Sequence, residues 1–406
     1  MTGKNGTGFF NQKNIMRSKF PAKLLLKGFF RTPDIISPLL RGLYHKHRGV
    51  NKDYERGDGK SSKPPFQVSI RITNVCNHRC AVCGQYGKNG YMHGERGKSL
   101  FGNIPYRKYK EVVDQLSHYK PVYYFTGGEP FLYPDFVKLV NYIKQKGSMA
   151  TVVTNGVKLK DYASEIVRNR WDMVLVSFDG PEYIHDECRG LKGAYKTAVE
   201  GLCKLRLLKK ASGSRKPYIF TSLTLSPVNV DYLQETFELN RTIVPDLVVV
   251  YLSWFTAERI GREHGKIIKE KLDADAFTWQ SYAKTFSSQD AERFSKALKN
   301  IRRKSWPFEY IVVPDLHGND VRDYYLYPEK TFGYKRCPAP FVMMDIMPNG
   351  DITTCRDFID VKVGNINEAK ILDIWNGEKM IKFRKLLIKH DGVLPQCTRC
   401  CGLMGF

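Results

Sequence analysis

Apolar and polar positions along the chain follow two alternating periods. Short β-rich apolar runs recur at "FQVSIRIT" (66–73), "PVYYFT" (121–126), "MATVVT" (149–154), "WDMVLVSF" (171–178), "YIFTSLTL" (218–225) and "DLVVVYLSWF" (246–255). Between them the apolar residues take helical spacing, at "PYRKYKEVVDQLSHY" (105–119), "PDFVKLVNYIKQKG" (134–147), "KDYASEIVRNR" (160–170), "AYKTAVEGLCKLRLLKK" (194–210) and "VDYLQETFELNRT" (230–242). Strands alternating with amphipathic helices predict a parallel sheet with right-handed crossovers. Six such units predict an α/β fold, an open or partial (β/α)6 barrel over 66–255.

The pattern changes on both sides of this region. Residues 1–65 are polar at the start, then basic and amphipathic over "FPAKLLLKGFFRTPDIISPLLRGLYHKHR" (20–48), and end in "NKDYERGDGKSSKPP" (51–65), which reads as a linker. Two short helices there would lie on an anionic membrane or pack on the main domain, since amphipathicity alone does not tell lipid from protein core. Residues 256–336 are charged and mostly helical and read as a bridge. Residues 337–406 form a small cysteine-rich C-terminal domain, in which "PNGD" (348–351) predicts a hairpin turn.

Composition narrows the partners. The 406 residues are 42% hydrophobic and 13% aromatic, with no apolar run near the ~18 residues a membrane span needs. The polar start lacks the apolar core of a secretory signal, which points to a cytosolic protein with reduced thiols. A formal charge of +24 favours anionic partners. Residues 1–66 hold 14 Lys+Arg against 4 Asp+Glu. The remaining positive charge is spread along the chain without a recognisable nucleic-acid motif, so nucleic acid is disfavoured.

Clustered cysteines in a reduced compartment suggest metal. Cys76, Cys80 and Cys83 form C-x3-C-x2-C in the loop after the first predicted strand. A structural zinc site wants four ligands, and His78 is a poor fourth within so tight a loop. A 4Fe–4S cluster normally has four cysteines, so three leave one iron open to a ligand. The loop's place at a strand's C-terminal end is where barrel active sites collect. Cys337, Cys355, Cys397, Cys400 and Cys401 form a second group, and Cys188 and Cys203 read as small buried hydrophobes.

In this order the motifs resemble the radical S-adenosylmethionine (radical SAM) enzymes. C-x3-C-x2-C follows the first strand, "TGGEP" (126–130) ends the second, "TNG" (154–156) the third, and "SFDGPEYIHDECRG" (177–190) follows the fourth. The stretch from Cys337 to Cys401 resembles the SPASM/Twitch extension, which carries auxiliary iron–sulfur clusters. The resemblance covers about residues 66–401. It implies a 4Fe–4S cluster on Cys76, Cys80 and Cys83 whose open iron is chelated by S-adenosylmethionine, cleaved reductively to a 5′-deoxyadenosyl radical. It implies cofactor contacts at Gly127, Gly128, Glu129, Thr154, Asn155, Ser177 and Arg189, with Glu129 accepting from the ammonium of the methionine moiety. Val82 departs from the family's usual aromatic beside adenine. Cys337, Cys355, Cys397 and Cys400 resemble the ligands of one auxiliary 4Fe–4S cluster, with Cys401 able to replace Cys400; a zinc ribbon would use the same four.

The resemblance further implies hydrogen abstraction from an unreactive C–H bond and an external flavodoxin- or ferredoxin-like electron donor. A small anionic, sugar or lipid-linked substrate that is oxidised suits the charge and the amphipathic N-terminus. A peptide or protein maturase is the alternative, and a cluster- or zinc-bearing nucleic-acid regulator is the reading from another class. Tyr251, Asp323 and Tyr324 are candidates for a base.

Overall fold

The computed structural model describes residues 33–404. Seven parallel strands run side by side in chain order: β1 (Gln67–Arg71), β2 (Val122–Thr126), β3 (Met149–Thr154), β4 (Met173–Ser177), β5 (Tyr218–Leu225), β6 (Leu247–Leu252) and β7 (Glu309–Val313). The first six are the predicted strands. The seventh lies in the stretch expected to be a helical bridge: its short apolar run, "YIVV", is flanked by charged sequence but pairs in parallel with β6.

The cysteine-rich region joins the same sheet. β8 (Met343–Ile346) pairs in parallel with β1 on its free side, and β9 (Asp351–Thr353) and β10 (Lys362–Asn365) follow antiparallel. The β8–β9 connection is the expected hairpin, closed by Met347 N to Asp351 O at 2.8 Å. Ten strands therefore form one sheet, and the two cysteine groups hang from it.

Alternation along the strands separates two faces. On β6, Val248, Val250 and Leu252 enter the large core beneath the helices, while Leu247 and Val249 form a separate inner cluster with Leu175, packed by Val153, Phe220, Tyr251, Ile311 and Val313. The sheet is curled. Tyr124 on β2 and Tyr251 on β6 would stand ~19 Å apart across four flat strand spacings, yet Tyr124 bears electrostatically on Tyr251.

Helices cover the outer face, among them α1 (Pro33–Tyr44) before the barrel, α2 (Tyr106–Leu116), α3 (Phe136–Gln145), α4 (Leu159–Arg168), α5 (Glu182–Arg189), α6 (Ala194–Ala211) and α7 (Leu233–Ile243), and all but α5 lie where the apolar spacing predicts a helix. α5 falls inside the "SFDGPEYIHDECRG" motif. Arg41 on α1 donates to the carbonyls of Tyr119 (3.2 Å) and Lys120 (2.6 Å), so this part of the basic segment docks on the barrel. The leucine-rich piece before it lies outside the described residues. No helix among the described residues is long and apolar enough to cross a membrane.

Residues 51–65, expected as a linker, are tied to the C-terminal region. Tyr54 Oη donates to Cys337 O (2.9 Å) and Trp375 Nε1 to Lys63 O (2.8 Å), while buried Arg384 donates to Pro340 O (2.7 Å) beneath them. Their polar composition satisfies buried partners instead of solvent.

Candidate active site

The loop after β1 carries Cys76, Cys80 and Cys83 as free, half-buried thiols. Each sulfur receives one N–H: His78 N to Cys76 Sγ (3.5 Å), Tyr86 N to Cys83 Sγ (3.4 Å) and Arg189 Nη1 to Cys80 Sγ (3.7 Å). Donors aimed at sulfur suit thiolate ligands, so this donor set fits a cation-bearing cluster. Without a cation, burial pushes the Cys76 thiol up to about 11, and binding a metal would release that proton. The last carbonyls of α5 hold the loop, Cys188 O accepting from Ala81 N (3.0 Å) and Arg189 O from Arg79 N (3.1 Å). His78 is buried with neither ring nitrogen bonded to protein, and burial lowers its pKa to about 4.

The "TGGEP" loop splints the cysteine loop from the other side. Gly128 N donates to Thr73 O (2.7 Å) and Glu129 N to Val75 O (2.8 Å), while Gln85 Nε2 donates to Gly127 O (2.8 Å). Gly127 adopts φ +146°, and a Cβ on Gly128 would stand 2.0 Å from Val75 O. The expected close backbone approach is therefore an approach to the cysteine loop itself.

Glu129 is fully buried and accepts from Thr154 Oγ1 (2.8 Å), Asn155 N (2.8 Å) and Phe131 N (3.2 Å). Asn155 Nδ2 in turn donates to Asn77 Oδ1 (2.8 Å), between the first two cysteines. Glu129 thus clamps the second and third strand ends to the cysteine loop, a role that the sequence reading did not contain. Ser177 ends β4 on the inner face opposite Ser222. Arg189 faces Cys80 and pairs with Asp179 at 2.5 Å. Val82 is 37% exposed, on the open side of the loop.

Burial raises the Glu129 carboxyl from 4.5 to about 7, outweighing its three donors and Arg189. A raised carboxyl contributes stability that is full below about pH 4.5 and lost as pH rises through about 7. Anaerobic urea unfolding of the cluster-free protein should show a midpoint that falls over this window. The fall should be smaller in Glu129→Gln; equal slopes in the two proteins would count against the clamp.

The second cysteine group gathers below β8 and β9. Cys355 Sγ, Cys400 Sγ and a carboxylate oxygen of Asp357 lie within 4.8 Å of one another. Burial and the neighbouring Cys397 and Cys355 push the Cys337 thiol well up, and burial with Cys355 takes Cys397 to about 12. These four thiols therefore share one pocket. Cys401 lies beside Cys400: both thiols donate to Asp357 Oδ2 at 3.3 Å, and Cys401 differs in that Arg356 Nη2 donates to its sulfur at 3.2 Å. Cys400→Ala is expected to cost about four irons per chain, and Cys401→Ala to retain them, by iron assay after anaerobic reconstitution. Cys188 is buried as expected, whereas Cys203 is exposed on α6.

Residues 70–240 match the model of the Radical SAM superfamily, and residues 337–401 match SPASM, described as an iron–sulfur cluster-binding domain. The chain is 31% identical over 365 residues to the Fe-coproporphyrin III synthase of Methanosarcina barkeri, covering 84% of this chain and 81% of that one. The chain belongs to the radical SAM superfamily. The serine-type anaerobic sulfatase-maturating enzyme of Bacteroides thetaiotaomicron is 22% identical over 363 residues, covering 84% and 80%. Streptococcus suis SuiB bound to S-adenosylmethionine has the same fold, with a TM-score of 0.56 at 15% identity over 83% of this chain and 71% of that one.

As a radical SAM enzyme with a SPASM domain, the protein uses a 4Fe–4S cluster, S-adenosylmethionine and auxiliary iron–sulfur, and it needs an electron donor. Between the two cysteine groups, the inner face of this radical SAM barrel has two unlike walls. One is the apolar surface of β3 to β7. The other, at β8, β1 and β2, carries Arg71, Asp345, Tyr124 and, beyond β9, Arg356. Arg71 bonds Tyr91 Oη and donates to Arg356 O (3.0 Å). The Arg356 guanidinium lies 5.0 Å from the Tyr124 ring centre. Burial raises Asp345 to about 7, weakening its negative charge near neutrality. Tyr282, from the 256–336 stretch, stacks on Trp254 at 5.0 Å and meets Phe358 at 5.9 Å, with its hydroxyl against Gly84.

Two of the base candidates, Tyr251 and Tyr324, line one pocket with Cys400 and Cys401, and Asp323 does not. Tyr251 faces this interior, near Tyr124, Cys401 and Arg356. Tyr324 is buried under the Arg399 guanidinium. Asp323 pairs with Lys330 at 2.5 Å, away from the inner face.

Proposed function

We propose that this radical SAM enzyme oxidises an amphipathic, carboxylate-bearing small molecule of the tetrapyrrole kind, bound between the two cysteine groups. The observation that carries the reading is the two-walled interior, with apolar strands opposite two half-buried arginines. An apolar body would bury surface on the half-buried Val153, Phe220 and Ile311, worth about 25 cal/mol per Å². Its carboxylate would meet Arg71 and Arg356, for which charge-assisted bonds give the orientation. The 31%-identical relative is named for an iron coproporphyrin, a flat macrocycle with carboxylates at its rim.

Cys76, Cys80 and Cys83 would hold the cluster that leaves an iron open to S-adenosylmethionine. The chemistry supplied there, when both are bound, is hydrogen-atom abstraction from an unreactive C–H bond. Cys337, Cys355, Cys397 and Cys400 would close one auxiliary cluster. Val82, Ser177 and Arg189 border the place left for S-adenosylmethionine, while Gly127, Gly128, Glu129, Thr154 and Asn155 brace it from behind.

A peptide or protein maturase is the second reading, favoured by the sulfatase-maturating relative. Anaerobic turnover with an iron tetrapyrrole deuterated in its carboxylate-bearing side chains separates the two. Deuterium in 5′-deoxyadenosine supports the tetrapyrrole reading. No porphyrin binding, together with deuterium transfer from a labelled peptide, would replace it.

A further inference from the structure

Arg189 makes contacts to Cys80 and Asp179 that its expected role toward the cofactor does not account for. It is the last residue of α5, with its side chain 15% exposed. One end of its guanidinium fork is fixed: Nη2 lies 2.5 Å from Asp179 Oδ2. The other end, Nη1, donates to Cys80 Sγ at 3.7 Å. Its Nε is buried with no protein acceptor. Asp179 is itself held in place, its N–H donating to His185 Nδ1 at 3.1 Å and its carbonyl accepting from Asn229 Nδ2 at 3.3 Å. Burial keeps His185 neutral, with a pKa lowered to about 4, so it is an acceptor and not a competing cation.

We infer that the Asp179–Arg189–Cys80 array sets how readily the cluster on the three-cysteine loop accepts an electron. The inference rests on the reading of Cys80 as a cluster ligand. Reduction adds one negative charge to a cluster, and a cation donating to a ligating sulfur favours that added charge. Arginine stays protonated throughout, so the step is one electron from the donor with no proton taken up by the array. Asp179 works in both directions: it orients the fork toward sulfur and offsets part of its charge. The free Nε leaves Arg189 one donor for an incoming anion. A carboxylate of the bound cofactor would compete with Asp179 and Cys80 for the same guanidinium, which couples binding to reduction by equal factors in both directions.

The full chain, reconstituted anaerobically with iron and sulfide, is poised with dithionite and mediators and its reduced fraction read by electron paramagnetic resonance. Arg189→Gln should lower the reduction equilibrium of the first cluster at least tenfold, which is 59 mV for one electron. Asp179→Asn, which leaves the cation without its counter-charge, should shift it the opposite way. Opposite signs are the signature, because general loosening of the site would move both variants together. Unchanged potentials, or equal shifts of the same sign, overturn the inference. Should Arg189→Gln fail to load iron, the sign in Asp179→Asn decides. A Cys80→Ala protein that keeps its full iron content would refute the ligand reading beneath it instead.

Discussion

Gly128→Ala should remove the first cluster and leave the second. The added Cβ would lie 2.0 Å from Val75 O and 2.4 Å from Val75 C, both backbone atoms that no rotamer change can clear. The "TGGEP" loop must then lift from the cysteine loop. That breaks the bonds of Gly128 N to Thr73 O and Glu129 N to Val75 O, and it disturbs the clamp of Glu129 on Thr154 and Asn155. Overpacking of this kind costs about 1–3 kcal/mol or more, concentrated on the one segment that carries all three sulfurs. The chain should still fold, because the large core lies on the other face of the sheet. Iron should fall from about eight to about four per chain, and reductive cleavage of S-adenosylmethionine should drop by at least ~100-fold, or ~2.7 kcal/mol. Full iron with full cleavage would show that the two loops do not depend on each other.

The second large effect concerns the cationic wall. Arg356→Met and Arg71→Met should each weaken binding of iron coproporphyrin III by about 10–100-fold, the range of a lost charge-assisted hydrogen bond of ~1.5–3 kcal/mol. Methionine keeps an apolar stem, so the change reports charge and not an emptied volume. The two effects should not add, since Arg71 donates to the carbonyl of Arg356 and bears on the same space. Absorbance titration of the porphyrin against each variant measures this. Val153→Thr on the opposite wall is the control, and it should weaken binding through lost apolar contact without altering salt dependence. Unchanged affinity in both arginine variants would move the substrate site elsewhere.

Much of this architecture was legible before any coordinates. The runs 149–154 and 218–225 coincide with β3 and β5, because β-branched periodicity there is bounded by turn residues. The cysteine triad and the glycine-rich loop are local motifs, so spacing alone exposed them. β7 escaped because four apolar residues between charged helices carry too little periodicity, and pairing with β6 supplies what the local sequence lacks. The joining of β8 to β1 was illegible for a different reason: nothing near Met343 speaks of a partner far upstream. The same holds for Arg71 beside Arg356 and for Arg356 beside Cys401, whose partners lie far along the chain. Glu129 was found from its motif, but its bonds to Thr154 and Asn155 depend on how strand ends meet.

The β1–β8 pairing also sets a schedule for synthesis. The strand that precedes the cysteine loop emerges early, and its neighbour on one side is made about 270 residues later, so at ~5–20 residues per second a nascent chain waits roughly 15–55 s for it. During that interval Gln67–Ile70 presents open backbone donors and acceptors to whatever strand is nearby. Yield in a heterologous host should therefore depend more on translation rate and chaperone supply than on iron, and slow-translating codons late in the message would prolong the exposure.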